Sequence, residues 1–439
     1  MMDARDTQGR SIPGETPPWA LFLTPILPAP GGNGLAMRAG VLLEALARDH
    51  RVLLWVVPLA SGGSDLTPGP WIRRLAKQVV VTMPEEEPRW RLISRLKDAG
   101  QRKEAQEAYP KPRMARFATS TSVARLREEI GARPVERCLV LRSYLAPFAL
   151  AWASSAKNAA GARPRLILDL DDDESLTRRR LATLRRELDD PVGAETELSE
   201  ADRFESLERS LLPQMNQLLV AHRGYAERLS PRFGEDPDPS LAVTPNAIRV
   251  PQDVPPRPPG PELRLLLVGN LSYLPNQDAA RRLALEILPA ARRHLRRPVR
   301  VRIIGSNPPA AVLGLGEISG VEVWPDVPDV APHYAWADAA MVPLRAGGGT
   351  RIKILEAFAH RVPVVSTPLG AEGLEVVADR HALLAEECDE LAAGCVRLCR
   401  DPGLRERLMS QALALVEKQY ERHRVIESLR EVIVGDPST

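Results

Sequence analysis

Lysine is nearly missing from this chain. Its 439 residues hold seven lysines against a Lys+Arg total of 59, so almost every cation is a planar guanidinium that stays protonated. Cysteine is scarce as well. Cys138, Cys388, Cys395 and Cys399 show no zinc-ligand spacing, which excludes a metal ribbon or finger and predicts reduced, buried thiols of a cytosolic protein. No apolar run approaches the ~20 residues that cross a bilayer; the longest, near Val52 to Ala60, has the length of a strand. The first eighteen residues are polar with Pro and Gly and lack an apolar core behind a basic start, so they predict a disordered lead. Net charge is +2, which gives no bulk footprint for nucleic acid. No Walker loop, Ser/His/Asp arrangement or zinc spacing is readable, and "VGNLSY" lacks the G-x-G-x-x-G of a dinucleotide fingerprint. The seven histidines are scattered; His222, after a strand at "VAHRGY", has no assigned role.

What is present is alternation. Short β-rich runs begin at Trp19, Val52, Gln78, Cys138, Arg165 and Gln217, separated by helical stretches, the pattern of a parallel sheet covered on both faces. Residues 231 to 262 then contain ten prolines, which marks a linker. After it the pattern restarts with runs from Leu263, Val299, Val321, Ala339 and Val362. Hydrophobic content of 44% supports two or three cores. The chain thus predicts two doubly wound α/β domains joined by a Pro-rich hinge, with ligands at the carboxyl ends of the strands.

One such end is "PLRAGGGTRIKILEAFAH" from Pro343. Ile352, Ile354, Leu355, Phe358 and Ala359 share one side of a 3.6-residue wheel, while Thr350, Lys353, Glu356 and His360 share the other. Thr350 is placed to cap a helix, and Gly347, Gly348 and Gly349 let main-chain amides approach an anion. Arg351 and Lys353 add full charges. Glu356 would repel a lone phosphate, yet it suits a ligand with phosphate at one end and a vicinal diol at the other, since a carboxylate accepts two hydroxyl hydrogens. A nucleotide sugar has that layout. The rival reading is an ordinary i,i+3 surface pair of Lys353 with Glu356, worth ~0.2 to 0.5 kcal/mol. Against it, Lys353 is the sole lysine between Leu263 and Asp401 among many arginines.

The order "VTPNAI", "LLLVGNLSYLPNQDAARRLALEILP" and "VWPDVPDVAPHYAWADAAMVPLRAGGGTRIKILEAFAHRVPVVSTPLGAEGLEV" resembles the C-terminal half of retaining glycosyltransferases of the GT-B architecture, the group often called family 4. "LTPILPAPGGNGLAMRAGVLLEALARDHRVLLWVVPL" resembles that family's first strand, glycine loop and helix. The resemblance covers about residues 19 to 430 and is tightest across Pro325 to Gly373. It implies two Rossmann-like domains facing across a cleft: 1–18 lead, 19–240 acceptor-side domain, 241–262 linker, 263–410 nucleotide-sugar domain, and 411–432 a helix crossing back. It implies that Gly347 to Thr350 present amides to the distal phosphate and sugar. Arg351 and Lys353 then act as the catalytic cations on the departing diphosphate, and Glu356 holds the ribose. Gly269, Asn270, Asn276, Asp326 and Arg345 complete the donor side, backbone near Val323 to Val327 lines the base pocket, and Gly31, Gly32, Asn33 and Gly34 close from the other domain.

Two departures stand out. The family's earlier glutamate, eight before Glu356, falls at Gly348, and "GNLSYLPNQD" replaces a usual Arg and Lys after the first C-domain strand. The expected activity is sugar transfer from a nucleotide-diphosphate sugar to a hydroxyl acceptor, lipid-linked or not, in bacterial surface polysaccharide or glycolipid assembly, with no metal or other cofactor and no nucleic acid. Alternatives are a non-catalytic nucleotide-sugar module, or a GT-B epimerase. A cytoplasmic place is expected, with peripheral membrane contact through residues 88–117, where nine Lys or Arg face three Asp or Glu; a solvated helical face is the rival there. The acidic run "LDLDDDES" at Asp169, Asp171, Asp172 and Asp173 leaves three readings open: a Mg²⁺ or Mn²⁺ site, a phosphatase-like nucleophile, or a strand end at a cleft.

Overall fold

The computed structural model describes residues 16–59, 66–232, 239–255, 261–295, 297–349 and 351–435. The lead, apart from residues 16–18, and the cap at Thr350 lie outside the described residues. Two parallel sheets form. The first contains β1 (Trp19–Thr24), β2 (Arg51–Val56), β3 (Ala76–Val81), β4 (Val135–Leu141), β5 (Arg165–Asp169), β6 (Gln217–Val220) and β7 (Ser240–Val243), in the order β3-β2-β1-β4-β5-β6-β7. The second contains β8 (Leu263–Val268), β9 (Val299–Gly305), β10 (Val321–Pro325), β11 (Ala339–Val342), β12 (Val364–Ser366) and β13 (Leu383–Leu384), in the order β10-β9-β8-β11-β12-β13.

The apolar runs explain the sheets. Ala20 to Leu23, Val52 to Val56 and Leu265 to Leu267 are buried throughout, as strands covered on both faces must be. Register is regular at the centre: Leu21 sits beside Leu53 of β2 and Cys138 of β4, and Leu265 beside Val301 of β9 and Ala339 of β11. Each order reverses direction next to its first strand, between β1 and β4 and between β8 and β11. That is the switch point at whose carboxyl side doubly wound sheets leave a crevice.

Three details differ from the sequence reading. β7 opens what reads as a Pro-rich linker: Ser240 to Val243 pairs with Gln217 to Val220, and an edge strand tolerates prolines at its ends because only one flank is paired. β13, two residues long, is too short for any periodicity. The helix expected over 411–432 is broken, with Pro402–Leu415 followed by a π turn at Val416–Tyr420, an extended Glu421, and a new helix Arg422–Val434.

The described parts of Met1–Leu176, Glu195–Pro245 and Arg424–Thr439 form one compact unit, and those of Thr177–Ala194 and Asn246–His423 form the other. Residues 177–194 therefore belong with the second sheet, although the sequence division runs the first domain unbroken from 19 to 240. The reason is apolar. Leu181 and Leu184 bury against Ala346, with Leu188, Tyr273 and Leu274 packed around them. Of the cysteines, Cys138 and Cys395 are buried, whereas Cys388 and Cys399 are only half-buried.

Candidate functional site

The site is built at the carboxyl ends of β8 and β11. The helix Ile352–Ala359 inserts Ile352, Ile354, Leu355, Ala357, Phe358 and Ala359 into the core, which leaves Lys353 and Glu356 half-buried, one turn apart, on the opposite face. Lys353 Nζ donates to Asn276 Oδ1 at 2.5 Å. Asn276 Nδ2 in turn donates to the Asn270 carbonyl at 2.7 Å, so both ends of the amide are oriented. A Cβ at Gly269 would stand 2.9 Å from Asn276 Nδ2 and 3.1 Å from Lys353 Nζ. Only a glycine lets that ammonium lie against the end of β8.

Burial makes this pair electrostatically poised. Desolvation first, then the neighbouring Arg351 charge, pushes Lys353 down to about 7, with Glu356 opposing. Burial pushes Glu356 up to about 7, against the Tyr334 hydrogen bond and the Lys353 charge. The Tyr334 hydroxyl lies 3.2 Å from Glu356 Oε2 and 3.3 Å from the Lys353 carbonyl, and its ring stacks on His360 at 5.0 Å. A half-buried ammonium and carboxylate with values shifted this far from the ordinary mark a candidate ligand site.

The glycine loop is braced from beneath. Gly347 takes φ 107°, a left-handed value that favours glycine. Its carbonyl accepts Arg351 Nη2 at 3.1 Å and Arg180 Nη1 at 3.0 Å. Arg351 is buried and its Nη2 also reaches the Leu369 carbonyl at 3.1 Å, while Arg180 forks onto Glu372 with Nη2 to Oε1 at 2.8 Å. Arg351 therefore serves as a strut of the loop as well as a charge near Lys353. Arg345 donates to both oxygens of Asp278, at 2.9 and 2.5 Å, and to Glu187 at 2.5 Å; these bonds hold its guanidinium charged. Gly348 and Gly349 are half-buried. Asn270 Oδ1 is taken by Ser272, whose N and Oγ lie at 3.0 and 2.8 Å. Asp326, at φ 49°, accepts Asn307 N at 3.0 Å at the end of β10.

Gly32 and Asn33 lie in the first unit at the end of β1. Gly32 has φ 92°, and Asn33 Oδ1 caps the helix Gly34–Ala47 by accepting Leu35 N at 2.9 Å. The sequence reading misses Tyr334, Arg180 and Glu372. Tyr334 and Glu372 lie inside the stretch that carries the resemblance but no local pattern gives them a role, and Arg180 lies more than 160 positions before the carbonyl it holds.

The acidic run resolves into ion pairs. Asp169 is fully buried against Arg38, with Nη2 to Oδ2 at 2.6 Å. Asp171 and Glu174 each lie 2.8 Å from Arg142, and Asp173 lies 3.1 Å from Arg228. An Asp169 sealed behind a guanidinium cannot attack a phosphate, which corrects the phosphatase alternative. Among the described residues no group of His, Cys, Asp or Glu is placed to hold a metal ion. His222 Nδ1 accepts Tyr225 N at 3.2 Å as a helix cap.

The site thus sits in the part of the chain with the sharpest relatives. Residues 262–401 match the family model for Glycosyl transferases group 1. Among curated proteins no sequence matches the chain. Solved structures match it nearly end to end. Sucrose-phosphate synthase from Thermosynechococcus elongatus is 13% identical, covering 95% of this chain and 98% of that one at a TM-score of 0.67. Anabaena HepE, solved in complex with UDP and glucose, is 14% identical, covering 94% and 98% at 0.60. WaaG, a glycosyltransferase involved in lipopolysaccharide biosynthesis, is 15% identical, covering 95% and 100% at 0.59. The fold is that of GT-B glycosyltransferases, two doubly wound α/β units with seven- and six-stranded parallel sheets. No described helix is long and apolar enough to cross a membrane.

Proposed function

We propose that this chain is a retaining, family 4-like glycosyltransferase that moves a sugar from a nucleotide-diphosphate sugar to a hydroxyl acceptor. The observation that carries the reading is the half-buried Lys353 held by Asn276 against Gly269, one helical turn from a carboxylate steadied by Tyr334. HepE binds UDP in its crystal, and the two departures from the family pattern leave Lys353 as the lysine of this region. As the glycosidic C–O bond breaks, negative charge grows on the leaving diphosphate. Lys353 and the amides of Gly347 to Gly349 meet that charge without reorganising, and Arg351 and Arg180 hold the loop in place. Arg345 fixes the loop's entry through Asp278. Glu356 accepts the ribose hydroxyls. No metal is needed to neutralise the diphosphate in this scheme.

The acceptor belongs to bacterial surface polysaccharide or glycolipid assembly, consistent with WaaG, and the protein works in the cytoplasm at the membrane surface. Leu92 and Met83 are 67% and 63% exposed, close in sequence to exposed Arg89, Arg91, Arg95 and Lys97. Glu86 pairs with Arg116 at 3.0 Å and Glu87 with Tyr109 at 2.6 Å, while Glu85, Asp98, Glu104 and Glu107 are exposed among the more numerous cations. Such a surface suits anionic lipid.

The test is a transfer assay over a panel of nucleoside-diphosphate sugars, with the product anomer read by NMR. A retained anomer supports the reading, and an inverted one removes retention. Glycine at 348 favours the second reading, a binding module: donor bound tightly with neither transfer nor hydrolysis on any acceptor would establish it.

A further inference from the structure

A second hollow, of mixed apolar and polar lining, lies in the same unit and shares no lining residue with the site at Lys353. It is a cavity of about 270 Å³ between the turn around Arg380 and the helix Pro402–Leu415 with its π turn. Arg380, His381, Gln411, Lys418, Gln419 and Glu375 supply its polar groups. Lys418 is one of the seven lysines of the chain. Arg380 and Lys418 are exposed, and among the described residues neither is ion-paired; Arg380 has only a long 3.4 Å bond to Gln411.

The imidazole of His381 is buried and its Nδ1 accepts Val377 N at 3.0 Å. That bond places the ring proton on Nε2, so the neutral ring is a donor. Burial, then the Arg380 charge, keeps the ring from protonating in the ordinary range. The hollow therefore offers a fork, an ammonium, an imidazole N–H and two amides, with one carboxylate. Several donors converging on a small volume match the three oxygens of a phosphate monoester. Glu375 and the amide oxygens match hydroxyls. The volume falls just below the usual range of ligand pockets, ~300 to 1,000 Å³, which suits a ligand no larger than a monosaccharide phosphate.

We propose that this cavity is a binding site for a small phosphorylated sugar, separate from the donor site. Its wall includes the turn ending at Tyr420, whose hydroxyl accepts Glu375 N at 2.9 Å. Tyr420 O accepts Ile248 N at 2.8 Å, and Arg422 N donates to Ile248 O at 2.9 Å. Two of the four points where the chain enters or leaves this unit, at Asn246 and at His423, thus lie within two residues of this pairing beside the cavity. A bound ligand would be felt there.

The experiment titrates the full chain with glucose 6-phosphate, inorganic phosphate and glucose by calorimetry, in wild type, R380Q/K418Q and K353A. Saturable glucose 6-phosphate binding is expected in wild type and K353A alike, with affinity lower by about tenfold or more in R380Q/K418Q. Inorganic phosphate should bind more weakly and glucose not measurably. Both substituted side chains are exposed, so an unchanged Tm confirms the fold. Unaltered affinity in R380Q/K418Q, or loss in K353A alone, overturns the proposal while leaving the donor site untouched. Equal affinity for inorganic phosphate and glucose 6-phosphate overturns the sugar part.

Discussion

Lys353 Nζ rests 2.5 Å from Asn276 Oδ1, an acceptor 77 residues away in sequence. Asn276 offers a dipole rather than a charge, so it positions the ammonium without neutralising it. A lysine at about 7 is partly neutral at physiological pH until an anion arrives.

Nucleotide binding should therefore take up a proton. Above pH 7 the free site is largely deprotonated at Lys353, and a diphosphate restores the cation, so net proton uptake on UDP binding is expected there, up to about one proton. Calorimetry in buffers of different ionisation enthalpy measures this directly. K353A should abolish the uptake and cut turnover by ~10² to 10³; turnover within threefold of wild type would remove Lys353 from the reaction. The free protein carries the matching signature. Between pH 7 and 10.5 the unfolded chain binds more protons at Lys353, so that residue's contribution to stability rises with pH across this window.

Gly269→Ala probes the same contact from the backbone. Its Cβ would meet the Asn276 amide and the lysine tip, both ends of side chains that can move. The fold should persist while UDP affinity falls about tenfold. Unchanged affinity would show that Lys353 does not face the ligand.

Tyr334→Phe tests the carboxylate. The tyrosine bond lowers Glu356 against burial, and Glu356 still stands at about 7. Without the hydroxyl that value rises. If ionised Glu356 holds the ribose, the acid limb of donor affinity moves to higher pH in the variant and disappears in Glu356→Ala. A pH profile identical to wild type argues against this role. The sign is opposite for stability: the folded state holds the extra proton between pH 4.5 and 7, so Glu356's contribution falls as pH rises through that range.

Arg180→Ala removes the second donor from the Gly347 carbonyl and the fork on Glu372. The expected result is a kcat loss with a smaller change in KM, because the loop's amides lose their aim while the ligand's other contacts remain. A loss confined to KM would point to direct ligand contact instead.

Arg38→Ala should destabilise the first unit by about 3 to 5 kcal/mol. Arg38 also donates to the Thr244 carbonyl at 2.7 Å and the Pro245 carbonyl at 2.9 Å. Burial already raises Asp169 to about 6 despite Arg38; without the guanidinium it rises further. The variant's deficit should therefore grow from pH 5 to pH 8 in urea melts, and a pH-independent deficit would contradict the buried-charge account.

Much of this was local in origin and so readable from sequence. The central strands announce themselves because both faces are buried and their apolar runs are continuous. The glycine loop, Lys353 and Glu356 stand out because a loop, a helix start and a 3.6-residue period are short-range patterns. Tertiary structure decided the rest. The sequence placed Lys353 and Glu356 on a polar face, yet only packing made that face half-buried and brought in Tyr334 and Asn276. Residues 177–194, the end of one helix and the start of the next, carry no local sign of the unit they join until Leu181 and Leu184 meet Ala346. The aspartate run leaves a metal site, a phosphatase-like nucleophile and a strand end open until Arg38, Arg142 and Arg228 close on it. Each of these outcomes depends on which distant group fills the space around a side chain, and no local period encodes that.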